Sequence, residues 1–89
     1  MKKKIAIIVR DRKSEALRMA VGATLSNDEV SVFIMDDKLE MDDDTSVNIE
    51  MLSDLKAKIF SNNPENPFEQ KTTEEIARML SEYDVVIPY

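Results

Sequence analysis

The chain of 89 residues has no cysteine, no histidine and no tryptophan, a single glycine and three prolines. Without cysteine there is no disulfide, no thiolate metal ligand and no thiol nucleophile. Without histidine, the commonest general base and the commonest metal ligand are missing together. The one glycine, Gly22, falls in a helical stretch, so no glycine-rich loop exists to wrap a phosphate, and P-loop and dinucleotide fingerprints fail. A net charge of −6 argues against nucleic acid as the main partner, since phosphate binding requires a concentrated cationic face. The only basic run, Lys2, Lys3 and Lys4, leads straight into a strand and reads as a solvated start. The apolar run 5–9 is far too short for a signal-peptide core or a membrane span. These absences lead us to expect cytoplasmic residence, with no nucleic acid, membrane, metal or cofactor.

What is present describes an ordinary globular domain spanning residues 1–89. Hydrophobic residues make up 43% and charged residues 34%, enough aliphatic surface to offset chain entropy. A chain this short buries only roughly 60–65% of its unfolded surface, so oligomerisation would add welcome stability.

Ile5-Ala6-Ile7-Ile8-Val9 is apolar on both sides, as a strand inside a covered parallel sheet should be. A helix follows, with Ser14 as its expected cap and Ala16, Leu17, Ala20, Val21, Thr24 and Leu25 on its apolar face. Gly22 within it suggests close approach of helix to strand, and Asn27 suits a left-handed residue after the helix end. Val30 to Met35 forms a second strand, and an acidic, mobile connection is expected from Asp36 to Thr45. Residues 46–54 suit a short helix that turns inward either Val47, Met51 and Leu55 or Ile49 and Leu52. A third strand, 57–60, precedes a loop from Ser61 to Gln70 containing Pro64 and Pro67. Thr72-x-x-Glu75 is a capping box for a helix carrying Ile76, Met79 and Leu80, and residues 84–87 form a fourth strand closed by Pro88.

The order β-α-β-α-β-α-β predicts an α/β fold: a three-layer α/β/α sandwich around a four-stranded parallel sheet with right-handed crossovers. The residues do not state the strand order. We take 2-1-3-4 from this fold pattern, which places the loops after strands 1 and 3 at the switch point where open α/β sheets bind ligands.

Residues 4–9, 15–23 and 29–37, with an Ala-Leu-Arg-x-Ala helix and a Glu-Val-x-Val-Phe-x-x-x-Asp strand end, resemble the DsrE/DsrF-like sulfur-relay family. The resemblance is clearest over about residues 4–40. It implies an α/β/α sandwich that assembles into dimers, trimers or hexamers. It also implies persulfide transfer on a cysteine in the loop after the third strand. Here that loop reads Phe60-Ser61-Asn62-Asn63-Pro64, and neither serine nor asparagine can carry a transferable sulfur. The chain is therefore similar to the family's non-catalytic members.

Two clusters could hold a small ligand. Arg10, Arg12 and Lys13 precede a helix N-terminus and suit an anion, or form a solvated loop. Ser61, Asn62, Asn63 and Asn66 follow the third strand and suit a polar pocket, or are turn formers around two prolines. Asp36, Asp37 and Asp42 to Asp44 lack the spacing of a calcium loop and read as a solvated acidic segment. Met35, Leu39, Met41, Phe68 and Tyr89 suit either subunit contacts or local packing.

Two functions follow as expectations. One is a non-catalytic homo-oligomeric (dimer or trimer) or partner-binding domain, linked through the resemblance to sulfur-metabolism proteins. The other is a binder of a small anionic metabolite, or an unusual enzyme, using Arg10, Arg12, Ser61, Asn62 and Asn63. With neither cysteine nor histidine, catalysis is the less expected of the two.

Overall fold

A computed structural model describes residues 3–26, 29–36 and 38–89. The elements are β1 (Lys4–Val9), α1 (Lys13–Leu25), β2 (Glu29–Ile34), α2 (Asp43–Asp54), β3 (Lys58–Ser61), β4 (Glu69–Gln70), α3 (Thr73–Leu80) and β5 (Val85–Pro88). All strand pairings are parallel, as the alternating pattern requires.

The strand number and order differ from expectation. The sheet has five strands in the order β4-β3-β2-β1-β5. The expected order placed the first strand between the second and third. Instead β2 lies between β1 and β3, and β5 pairs along the other edge of β1, with Ile5 beside Val30 on one side and Val85 on the other. The physical reason is that alternation fixes direction and handedness but leaves open which edge each new strand joins. The extra strand, β4, is two polar residues inside the proline loop, with Ser61 beside Gln70. Pro88 lies within β5 rather than ending it; it stands opposite Ile8, and the Tyr89 N–H reaches the Ile8 carbonyl at 2.9 Å. An edge strand tolerates such a proline.

Alternate residues of the strands feed two cores. Ile5, Ile7 and Val9 of β1 and Val30, Val32 and Ile34 of the second strand cluster with Ala16, Leu17, Ala20 and Val21 of α1 and Ile49 and Leu52 of α2. On the opposite side, Ala6, Phe33, Met35 and Phe60 cluster with Ile76 of α3, and Met79, Leu80 and Tyr83 pack around them. Successive right-handed crossovers moving one way put α1 and α2 on one face, and the return across β1 puts α3 on the other. Phe33 is the centre of the second core, stacked on Phe60 at 5.2 Å and edge-on to Tyr83 at 5.8 Å.

Several local expectations change. The N-cap of α1 is Arg12 without a side-chain cap, and Ser14 lies inside the first turn. Leu25 is 65% exposed and outside the core. Gly22 makes no close approach: a Cβ there would meet no atom within 4 Å. Asn27 lies outside the described residues. Of the acidic connection, residues 43–45 already belong to α2, residues 38–42 have no regular secondary structure, and Leu39 is buried. Asp42 caps that helix by accepting from the Thr45 N–H at 2.8 Å. Ile49 and Leu52 face inward, while Val47, Met51 and Leu55 face out. Met35 and Leu39 belong to the interior, which decides for local packing at those two positions.

Helix α2 ends in a Schellman motif, with the Ala57 N–H on the Leu52 carbonyl at 2.9 Å and the Lys56 N–H on the Ser53 carbonyl at 3.0 Å. Its left-handed position is Lys56, at φ 64°. The capping box of α3 is fully formed between Thr72 and Glu75.

Candidate functional site

The loops at the C-terminal ends of β1, β2 and β3 lie side by side, with Asp36 in the middle. Because β2 separates β1 from β3, the expected direct neighbourhood of Arg10 and Ser61 is replaced by a bridge through Asp36. The Arg10 Nε lies 3.5 Å from an Asp36 carboxylate oxygen, both side chains largely exposed. Asp36 adopts φ 70°, a left-handed conformation that aspartate tolerates better than most residues.

Two asparagines hold it there. Asn62 Oδ1 accepts from the Asp36 N–H at 2.7 Å, and Asn62 Nδ2 donates to Asp36 Oδ1 at 3.3 Å and to Thr73 Oγ1 at 3.0 Å. Asn63 Nδ2 donates to the Asp36 carbonyl at 2.9 Å, and Asn63 Oδ1 accepts from the Glu65 N–H at 2.9 Å. Arg10, Asn62 and Asn63 therefore meet on one residue that sequence reasoning placed in an acidic segment. The available signal was its position directly after a strand, where an Asp in the left-handed region can turn the chain.

Ser61 and Asn66 sit beneath this surface. Ser61 is fully buried, and its Oγ accepts from Asn66 Nδ2 at 2.9 Å and from the Asn63 N–H at 3.1 Å. Asn66, only 2% exposed, accepts from the Leu39 N–H at 2.7 Å across to the loop after β2. These polar side chains thus fasten two loops to each other as well as turning their own. Among the described residues no buried side-chain nitrogen or oxygen is left without a partner.

Arg12 stands apart from this group. With Lys13, Glu15, Lys38, Glu40 and Asp42 it lines a cleft of about 670 Å³ between the β1–α1 and β2–α2 loops. It pairs with Glu15 at 3.9 Å, on exposed side chains. The switch point of the observed sheet is between β1 and β5 rather than beside β3. There the Tyr89 carbonyl accepts from the Asp11 N–H at 2.9 Å and the Arg12 N–H at 3.4 Å, the place an anion would take at the start of α1.

Two carboxyls are held below their ordinary values, and both are helix caps. The Thr45 backbone N–H lowers Asp42, and the Thr72 backbone N–H lowers Glu75. Among the described residues no group of three or more acidic side chains is arranged to hold a metal ion. None of their helices is long and apolar enough to cross a membrane.

A second hollow, about 580 Å³, runs beside α1 toward the end of β5. It is lined by Met19, Gly22, Ala23 and Tyr89, with Glu15, Arg18 and Ser26 also on its walls. Compared with family models, curated proteins and solved structures, the chain matches none of them.

Proposed function

We propose that this chain is a non-catalytic interaction domain, a cysteine-less relative of the sulfur-relay family, that works by assembling with a second copy of itself. The observation that carries the reading is the apolar hollow beside α1. Sheets made only of parallel strands are normally covered on both faces. Here Val85, Ile87 and Tyr89 of the last strand and its end are only partly buried against the α1-side core. Next to them Met19 is 45% exposed, and Gly22 leaves open space where another backbone can come close. Glu15 and Arg18 give this face one charge of each sign. A twofold contact repeats the same patch on both partners, so a patch carrying both signs can complement itself.

Light scattering coupled to size exclusion tests the reading. The expected mass is twice that of the chain at micromolar concentration, falling to one chain in Met19→Glu. A strict monomer sinks the proposal, and a dimer indifferent to Met19→Glu removes this hollow from it. Sulfur-metabolism proteins are the partner class implied by the resemblance, and a gene neighbourhood devoid of sulfur transfer counts against that part.

A second reading is capture of a small anion near the β1 loop, in the cleft where Arg12, Lys13 and Lys38 stand among Asp11, Glu15, Glu40 and Asp42, with Arg10, Ser61, Asn62 and Asn63 supporting the neighbouring loops. A ligand that binds only the folded state raises its melting temperature. No shift with phosphate, sulfite or nucleotides, or an equal shift in Arg12→Ala, ends this reading.

A further inference from the structure

The outward side of α2 is a different surface with a different charge. Val47, Met51 and Leu55 recur every four positions and are 55%, 39% and 37% exposed, so they form one ridge along the helix and its cap. The opposite side of the same helix already supplies Thr45, Ile49 and Leu52 to the interior, so folding does not require the ridge. The helix also carries Asp43, Asp44, Glu50 and Asp54 and no basic residue. An apolar ridge within a uniformly acidic helix selects its occupant by sign. A twofold contact between two such faces would oppose four carboxylates to four, offset only in part by the exposed Lys56 just beyond each cap, and an anionic lipid surface would be repelled as well.

We propose that the α2 ridge docks an amphipathic helical segment of another protein, whose apolar stripe is flanked by lysine and arginine. The stripe covers Val47, Met51 and Leu55, and the flanking cations meet the carboxylates of the same helix. The arrangement is independent of the hollow beside α1, which is charge-balanced and on the neighbouring helix.

The probe is a fluorescein-labelled synthetic peptide with leucines at helical spacing and lysines on both flanks, titrated with the full chain. Two controls keep its length: one replaces every lysine with glutamate, the other every leucine with serine. Binding of the first peptide alone, weakened by salt, supports the proposal. In Val47→Ser/Met51→Ser, affinity should fall by about tenfold, the effect of losing part of two buried apolar side chains. Glu50→Lys/Asp54→Lys should also weaken it and flatten the salt dependence. Melting curves establish that each variant is folded; both pairs are on the surface, and either suffices if the other fails to fold. Equal binding of the serine peptide reduces the effect to plain charge attraction and overturns the proposal, as does equal binding of the glutamate peptide. Undiminished binding by the ridge variants, or no binding of the first peptide, overturns it too. So does a chain dimer that the ridge variants abolish, which would assign the face to a second copy.

Discussion

The Asn66 side chain joins two loops that are far apart in sequence, accepting from the Leu39 N–H at 2.7 Å while donating to the Ser61 hydroxyl at 2.9 Å. Asn66 and Ser61 are both buried, and the Leu39 side chain is too. Replacing Asn66 with leucine keeps most of the volume and strands the Leu39 N–H in the interior. The expected cost is about 1–3 kcal/mol, the desolvation of an unpaired donor. Chemical denaturation measures it, and a loss below the experimental error would mean that water satisfies the site.

Backbone freedom is misallocated in this chain. The glycine lies inside α1, where the fold of the single chain does not need it, while the left-handed end of α2 is occupied by lysine. Gly22→Ala should stabilise the monomer by roughly 0.5–1 kcal/mol, since a methyl meets open space in a helix interior. The same change should weaken self-association if the hollow beside α1 is the contact. Lys56→Gly should stabilise by roughly 1 kcal/mol by relieving the side-chain clash of that conformation. Thermal melts at several protein concentrations separate the two effects of the first substitution. A destabilising Lys56→Gly would refute the second.

Phe33 supplies most of the aromatic packing under α3. Phe33→Ala removes its contacts with Phe60 and Tyr83 and should cost about 3–5 kcal/mol. A chain of this length holds roughly 5–13 kcal/mol in total, so this variant should melt far lower or be partly unfolded at room temperature. Circular dichroism decides; a Tm close to that of the parent would mean that α3 contributes little to the fold.

Acid should loosen the starts of α2 and α3. Asp42 and Glu75 have folded pKa values below their ordinary 3.8 and 4.5, so each binds its proton more weakly when folded. Their contribution is therefore complete above the ordinary values. It fades as pH falls through 4.5 and 3.8 and is gone below the lowered folded values. Thr72→Ala removes one side of the α3 cap and should cost about 1 kcal/mol at neutral pH. In Glu75→Gln, which removes the titrating carboxyl, stability should decline less between pH 5 and 3 than in the parent, within about that range of carboxyl titration. An unchanged acid slope would remove Glu75 from the account.

What could be read in advance follows from which signals are local. The capping box at Thr72 and Glu75, the doubly apolar β1 and the inward Ile76 each depend on a few neighbouring residues, and each is found in the structure. The order of strands is not local. Val85 could have paired with β3 without any change in its own hydrophobicity, and only the assembled sheet shows that it pairs with Ile5. The two-residue β4 was hidden by the two prolines just before it. The loop residues Asn62 and Asn63 looked like turn formers, and their tie to Asp36 depends on β2 separating β1 from β3.

Joining β1 to β5 has a consequence for how the chain folds. Lys4 and Asp84 exchange bonds at 2.8 Å across 80 positions of sequence, so one side of β1 waits for a segment from the far end. Local hairpin-like nuclei cannot supply that contact, and closing so long a loop has an entropic cost that no short-range pairing offsets. The β1–β5 pairing thus raises the contact order above what the sequential pairings alone would give, and a break in the segment between α2 and α3 would leave two pieces, with the first strand in one and its outer neighbour in the other.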